Sequence, residues 1–169
     1  MDRYTPLVWN NKPALGLSIG FLYRSDTDRY QFFDVQTLEN TVTWLVQTAP
    51  LLVSFNGIQF DFPLMRALLR QEANHGRLLG EWPACADQLM ALCDTFKVQC
   101  AASYDILDQI WRQDPGRKFE RGLNSLGAIS QATGYGTKEM DGATAPRLWA
   151  QGQYATVTNN CMSDVWKTK

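Results

Sequence analysis

Residues 51–69, LLVSFNGIQFDFPLMRALL, leave little choice of local structure. Leu51, Leu52 and Val53 form an apolar run that alternates into Ser54 and Phe55, short enough for a buried strand. Asn56-Gly57 breaks the pattern, because glycine tolerates backbone angles that other residues avoid. Asp61 then stands as a helix-start residue with Pro63 close behind, where a missing N–H costs least. Phe62, Met65, Leu68 and Leu69 recur at helical spacing. The stretch reads as strand, tight turn and helix with one carboxylate at the junction. Open α/β folds place their ligands at such junctions, on the carboxyl edge of the sheet. A plain N-cap aspartate on a βα loop fits Asp61 equally well.

The rest of the chain is consistent with that unit. Residues 15–23 (LGLSIGFLY) and 30–34 (YQFFD) read as two strands joined by the polar turn 25–28, which makes a hairpin. Asp26 and Asp28 imitate a metal-binding D-x-D, but the turn makes them a solvated tip. Residues 37–49 carry Leu38, Val42, Leu45 and Val46 at helical spacing, and Pro50 stops that helix. The helix after Asp61 is expected to reach about Ala73, and Asp87 to Phe96 to form a short one. Asp105 lies just before an amphipathic stretch, residues 113–122 read as a loop, and residues 123–133 as a helix closed by Gly134. Residues 143–169 are mainly helical, broken near Gly152. A hairpin followed by strands alternating with helices predicts an α/β domain, a mixed sheet flanked by helices, over residues 1–169.

Composition removes several classes of chemistry. Cys85, Cys93, Cys100 and Cys161 form no C-x-x-C pair, and the single histidine, His75, sits in a polar Asn-His-Gly turn. That argues against a zinc site and against a histidine-assisted nucleophile. Scattered thiols without a secretory segment point to a reducing cytoplasm, and no apolar run has the length of a membrane span. An apolar fraction of 45% in 169 residues is enough for a real core. The net charge of −1 argues against broad electrostatic binding of nucleic acid, while leaving room for a local basic groove.

Asn56, three intervening residues and Phe60-Asp61 resemble the second motif of the DEDD 3′–5′ exonucleases, a superfamily of ribonuclease H-like fold. Asn160-Cys161-Met162-Ser163-Asp164-Val165 is similar to the third motif, in which a tyrosine lies four positions before an aspartate followed by valine. Four residues are about one helical turn, so both side chains face one site. Here the tyrosine position holds Asn160, an amide that can donate a hydrogen bond but cannot act as a base. Between the motifs, Ser103-Tyr104-Asp105-Ile106-Leu107 with Ile110-Trp111, Leu123-Asn124-Ser125-Leu126, Lys138…Met140-Asp141-Gly142, and Ala145-Pro146-Arg147-Leu148-Trp149 with Gly152 resemble bacterial and phage predicted exonucleases, in order. The resemblance implies Asp61 and Asp164 as ligands of Mg²⁺ or Mn²⁺, with Asn160 near the attacking water. It also implies substrate contacts from Asn56 and Lys138, although Lys138 reads as well as a solvated loop lysine. The implied partner is nucleic acid, DNA or RNA, with a single-stranded 3′ end.

The resemblance requires a further motif, a D-x-E pair on a first central strand. Before Leu15 the chain offers only Asp2 and no glutamate. Two-metal phosphoryl transfer holds two cations about 3.5–4 Å apart with several carboxylates. Asp61 and Asp164 supply two of the four that the motifs call for. The expectation is a domain truncated at both ends, with an incomplete catalytic set and little or no activity. The missing strand would be replaced by residues 3–9, where Pro6 is unfavourable, by a second copy or by a partner chain. The alternative is a catalytically inactive module that binds nucleic acid or protein, and a third reading is an unrelated α/β protein.

Overall fold

The computed structural model describes residues 12–79, 83–116, 122–138 and 140–169. A one-turn helix α1 (Lys12–Leu15) precedes an antiparallel hairpin of β1 (Gly20–Arg24) and β2 (Arg29–Phe33). Helix α2 (Leu38–Thr48), strand β3 (Val53–Ser54), helix α3 (Asp61–Leu79) and helix α4 (Pro83–Ala101) follow. Then come β4 (Tyr104–Asp105), α5 (Ile106–Gln113), α6 (Leu126–Ala132), a 3-10 turn (Gly142–Thr144), α7 (Ala145–Ala150) and α8 (Tyr154–Thr168).

The core is built on α4. Ala86, Leu89, Cys93, Phe96 and Cys100 alternate in steps of three and four, so they share one helix face, and all are buried. Met65, Leu69 and Ala73 of α3 and Leu38, Val42 and Leu45 of α2 belong to the same buried cluster. Each large side chain removed from water there contributes about 1.5–3 kcal/mol. Phe96 is fully buried, and its ring meets Phe62 edge-on at 6.0 Å between centroids. Gln99 Nε2 donates to the carbonyl of Leu45 at 3.0 Å and ties α4 to the end of α2.

Helix α2 has chemical stops at both ends. Asp34 Oδ1 accepts from the Thr37 hydroxyl and from the N–H groups of Thr37 and Gln36, which holds its carboxyl below the ordinary carboxylate range. At the far end Ala49 turns left-handed at φ 44°, its N–H bonds to the carbonyl of Leu45, and Pro50 follows. The β1–β2 register runs from Gly20 opposite Phe33 to Arg24 opposite Arg29. At the tip Arg24 pairs with Asp26 at 2.6 Å and the Tyr23 hydroxyl donates to Asp28 at 2.6 Å. The acidic D-x-D is therefore occupied by the hairpin's own side chains, at an exposed turn.

Several expectations need correction. Residues 15–23 are not one strand, since α1 ends at Leu15 and pairing begins at Gly20. The helix after Asp61 runs to Leu79 rather than Ala73, and His75 is an exposed residue within it, not part of a turn. The short helix from Asp87 to Phe96 is in fact the 19-residue α4. In both helices packing of α3 on α4 offsets a weak local signal, such as the roughly 0.5–1 kcal/mol that a mid-helix glycine costs. The helix expected over residues 123–133 is confined to α6, whose start is fixed by Ser125 Oγ accepting from the Ala128 N–H.

The largest correction concerns the sheet. The Leu51 strand shrinks to Val53–Ser54 and pairs in parallel with Tyr104–Asp105, outside the sheet of the hairpin. The fold is mixed α/β, but its strands form two separate two-stranded ribbons. Among the described residues no strand lies between β1 and β3 to join them, and Leu51 and Val53 are left 72% and 51% exposed. Residues 3–9, named above as a replacement strand, lie outside the described residues. Among the described residues no helix is long and apolar enough to cross a membrane.

Candidate functional site

A carboxylate from β4 holds the turn between β3 and α3. Asp105 is 1% exposed. Its Oδ1 accepts from the Asn56 and Asp108 N–H groups at 3.1 Å each. Its Oδ2 accepts from the Ser54 hydroxyl at 2.9 Å and the Ile58 N–H at 3.1 Å. A buried charge is tolerated when donors meet its lone pairs, and here both oxygens are met twice. Asn56 is kept at φ 65°, a left-handed conformation that asparagine adopts more easily than most residues. Gly57 is needed next to it, because a Cβ there would lie 2.6 Å from the Ser54 side chain and 3.2 Å from the Phe62 ring.

The turn then starts the helix. The Asn56 carbonyl accepts from the Phe60 N–H at 3.0 Å, and the Gly57 carbonyl from the Phe62 N–H at 2.9 Å. Asp61, exposed at the first position of α3, is thereby placed by a relay that begins at Asp105.

The second half of the site is on α8. Asp164 Oδ2 forms an ion pair with Lys138 Nζ at 2.6 Å, with the side chains 24% and 26% exposed. Lys138 lies so close to α6 that a Cβ on Gly127 would come within 2.8 Å of the Lys138 Cβ. The solvated-lysine reading of Lys138 is thus replaced by a partly buried ion pair. Asp164 Oδ1 is buried and has no hydrogen-bond partner among the described residues. One turn earlier lies Asn160, partly buried. The Cys161 thiol is pushed up to about 11, by burial first and then by the charges of Asp164 and Asp61, while Lys138 and the Phe21 backbone draw it partway back. Lys138 and Asp164 therefore touch, and the charge of Asp61 is felt at Cys161 on the same helix as Asp164.

This electrostatic arrangement has a direct readout. In chelator at about pH 8, alkylation of Cys161 by iodoacetamide is expected to be at least about tenfold slower than that of exposed Cys85, because the thiolate is the nucleophile. The rate at Cys161 should climb as the pH approaches 11. Peptide mapping by mass spectrometry measures both; equal rates at pH 8 would mean that burial and the neighbouring charges do not hold the thiol protonated.

The fit to a metal ion can be judged from the donors. Among the described residues no group of three or more His, Cys, Asp or Glu side chains converges on a point. The buried Asp164 Oδ1 lacks a donor among those residues, and a hard cation would satisfy it. Asp164 Oδ1 therefore suits one divalent ion, whereas a pair of ions takes several carboxylates converging on a point. Asp105 is excluded as a ligand because its acceptor positions are all used.

Sequence reasoning saw Asp105 only as a residue before a helix. Its spacing to Asp108 signals an N-cap, and the cap is present. Nothing local announces that the same carboxylate holds a turn some fifty residues earlier. A family model described as a predicted 3′–5′ exonuclease related to the exonuclease domain of PolB matches residues 24–169. No curated protein and no solved structure matches the chain.

Proposed function

The chain belongs to the family of predicted 3′–5′ exonucleases related to the exonuclease domain of PolB, and from that premise we propose a metal-dependent DEDD-type exonuclease domain of ribonuclease H-like fold. Its substrate is a single-stranded 3′ end of DNA or RNA. The observation that carries the reading is the family match over residues 24–169, which takes in Asp61 at the start of α3 and Asp164 of α8, the latter paired with Lys138. The positions of these two aspartates are those of the second and third motifs.

In this reading Asp61 and Asp164 hold one Mg²⁺ or Mn²⁺, which when bound activates water and offsets phosphate charge. Lys138, already paired with Asp164, adds a fixed positive charge beside the scissile phosphate. Asn56, at the turn fixed by Asp105, contacts the substrate strand. Asn160 donates a hydrogen bond to the attacking water but cannot take its proton, so that step lacks its usual helper.

The D-x-E of the first motif is not part of this set, and no strand that would carry it lies among the described residues. The two separate ribbons support a place for such a strand between β1 and β3, filled by residues 3–9, a second copy or a partner chain. A second reading is a catalytically silent module that binds nucleic acid or protein. The absence of a three-acid cluster among the described residues and the amide of Asn160 favour it.

The test uses 5′-labelled single-stranded DNA and RNA oligonucleotides with Mn²⁺. Slow stepwise shortening from the 3′ end is expected, abolished by Asp61→Asn. Shortening that survives in Asp61→Asn sinks the site assignment, and no shortening with retained oligonucleotide binding favours the silent module.

A further inference from the structure

We infer that Asp105 is the positioning residue of this site: through the turn at residues 54–58 it sets where Asn56 and Asp61 stand. What the site binds rests on the exonuclease reading; the placement itself rests on hydrogen bonds.

An aspartate that only capped α5 would need a single bond, the one from the Asp108 N–H. Asp105 makes that bond and takes three more from the opposite side, from the Ser54 hydroxyl and the Asn56 and Ile58 N–H groups. The two inward N–H groups of the turn form a small anion-binding concavity. The anion in it is the chain's own carboxylate, so this concavity is not open to a substrate phosphate. Phosphate must instead be met by side chains, which makes the exact placement of Asn56 and Asp61 matter.

The outer face of the turn passes that placement on. The carbonyls of Asn56 and Gly57 accept the Phe60 and Phe62 N–H groups that flank Asp61. The left-handed Asn56 and the crowded Gly57 suit the turn in the shape that Asp105 holds. A carboxylate that orients a ligand without touching the metal commonly governs metal affinity about 10–100-fold.

The experiment measures Mn²⁺ affinity by electron paramagnetic resonance, together with amide hydrogen exchange, on the native chain and on Asp61→Asn, Asp105→Asn, Ser54→Ala and Asp108→Ala. Asp105→Asn is expected to lose exchange protection at the Asn56 and Ile58 amides, to keep it in α2 and α4, and to bind Mn²⁺ about tenfold more weakly or worse. Ser54→Ala removes one of the bonds and should weaken Mn²⁺ binding about two- to fivefold. Asp108→Ala keeps the backbone donor and should bind as the native chain does.

If Asp105→Asn does not fold, Ser54→Ala decides alone, and native Mn²⁺ affinity in it overturns the inference. Lost protection at Asn56 and Ile58 with unchanged Mn²⁺ affinity also overturns it, since Asp105 would then be structural only. Asp61-dependent Mn²⁺ binding that ignores both Asp105→Asn and Ser54→Ala defeats the inference and leaves the exonuclease reading standing. A native chain whose Mn²⁺ binding is absent, or indifferent to Asp61→Asn, defeats both.

Discussion

Phe96→Ala is expected to cost about 3–5 kcal/mol of stability, the range for emptying a fully buried phenylalanine site. Phe96 has no exposed surface and sits where α2, α3 and α4 meet, with its ring edge-on to Phe62. Surrounding helices cannot close the hole without moving, so the loss includes a cavity term beyond hydrophobic transfer. Domains have only about 5–15 kcal/mol to lose. At about 2–4 °C per kcal/mol for a chain of this size, the melting temperature should fall by roughly 6–20 °C in scanning calorimetry. Phe62 adjoins Asp61, so the same substitution should also loosen the start of α3. A fall below about 2 °C would mean that the three helices do not form one cooperative core.

A still larger effect concerns rate. With Asp61 and Asp164 as the two proposed metal ligands, the chain should trim a single-stranded oligonucleotide in Mn²⁺ slowly or not at all. A version extended at its N-terminus by a strand carrying a D-x-E pair should be faster by more than about a thousandfold. Electrostatic stabilisation by carboxylate-held cations dominates such reactions, and each 1.36 kcal/mol is about a factor of ten. Restoring roughly 5 kcal/mol is enough for that gain. Initial rates from gel-resolved single-nucleotide ladders provide the comparison. Rapid trimming by the unextended chain, abolished by Asp61→Asn, would show that the missing acids lie elsewhere in it. Inertness of both versions would leave the silent module.

How much of this was legible in the sequence depends on the range over which each signal acts. The unit around residues 51–69 could be read because its parts are local: a short apolar run, Asn56-Gly57, then Asp61 at a helix start. The hairpin and the break at Gly152 were readable for the same reason, and Gly152 does adopt a positive φ of 76°. The full length of α4 was not, because alanines and cysteines at positions 84–93 carry little periodic contrast, and only packing on α3 shows that the helix continues. The split into two ribbons was not legible either. Val53 pairs with Tyr104 at a distance in sequence that no local pattern encodes. At the site, the spacing of Asn160 and Asp164 puts both on one face of α8, but the ion pair from Lys138 depends on how closely Gly127 lets a distant loop approach.

The bonds made by Asp105 also bear on the order in which the molecule assembles. They join residues 51, 49 and 47 positions apart, and the intervening chain is almost entirely α3 and α4. Closing so long a loop is entropically costly unless those two helices have already folded back on each other. A left-handed asparagine beside a crowded glycine has no local reason to persist before then. The helical pair should therefore form early and the turn that carries Asn56 late, so that the site comes into being only as the last long-range contacts close. A newly made chain would be compact before it could engage a nucleic acid end.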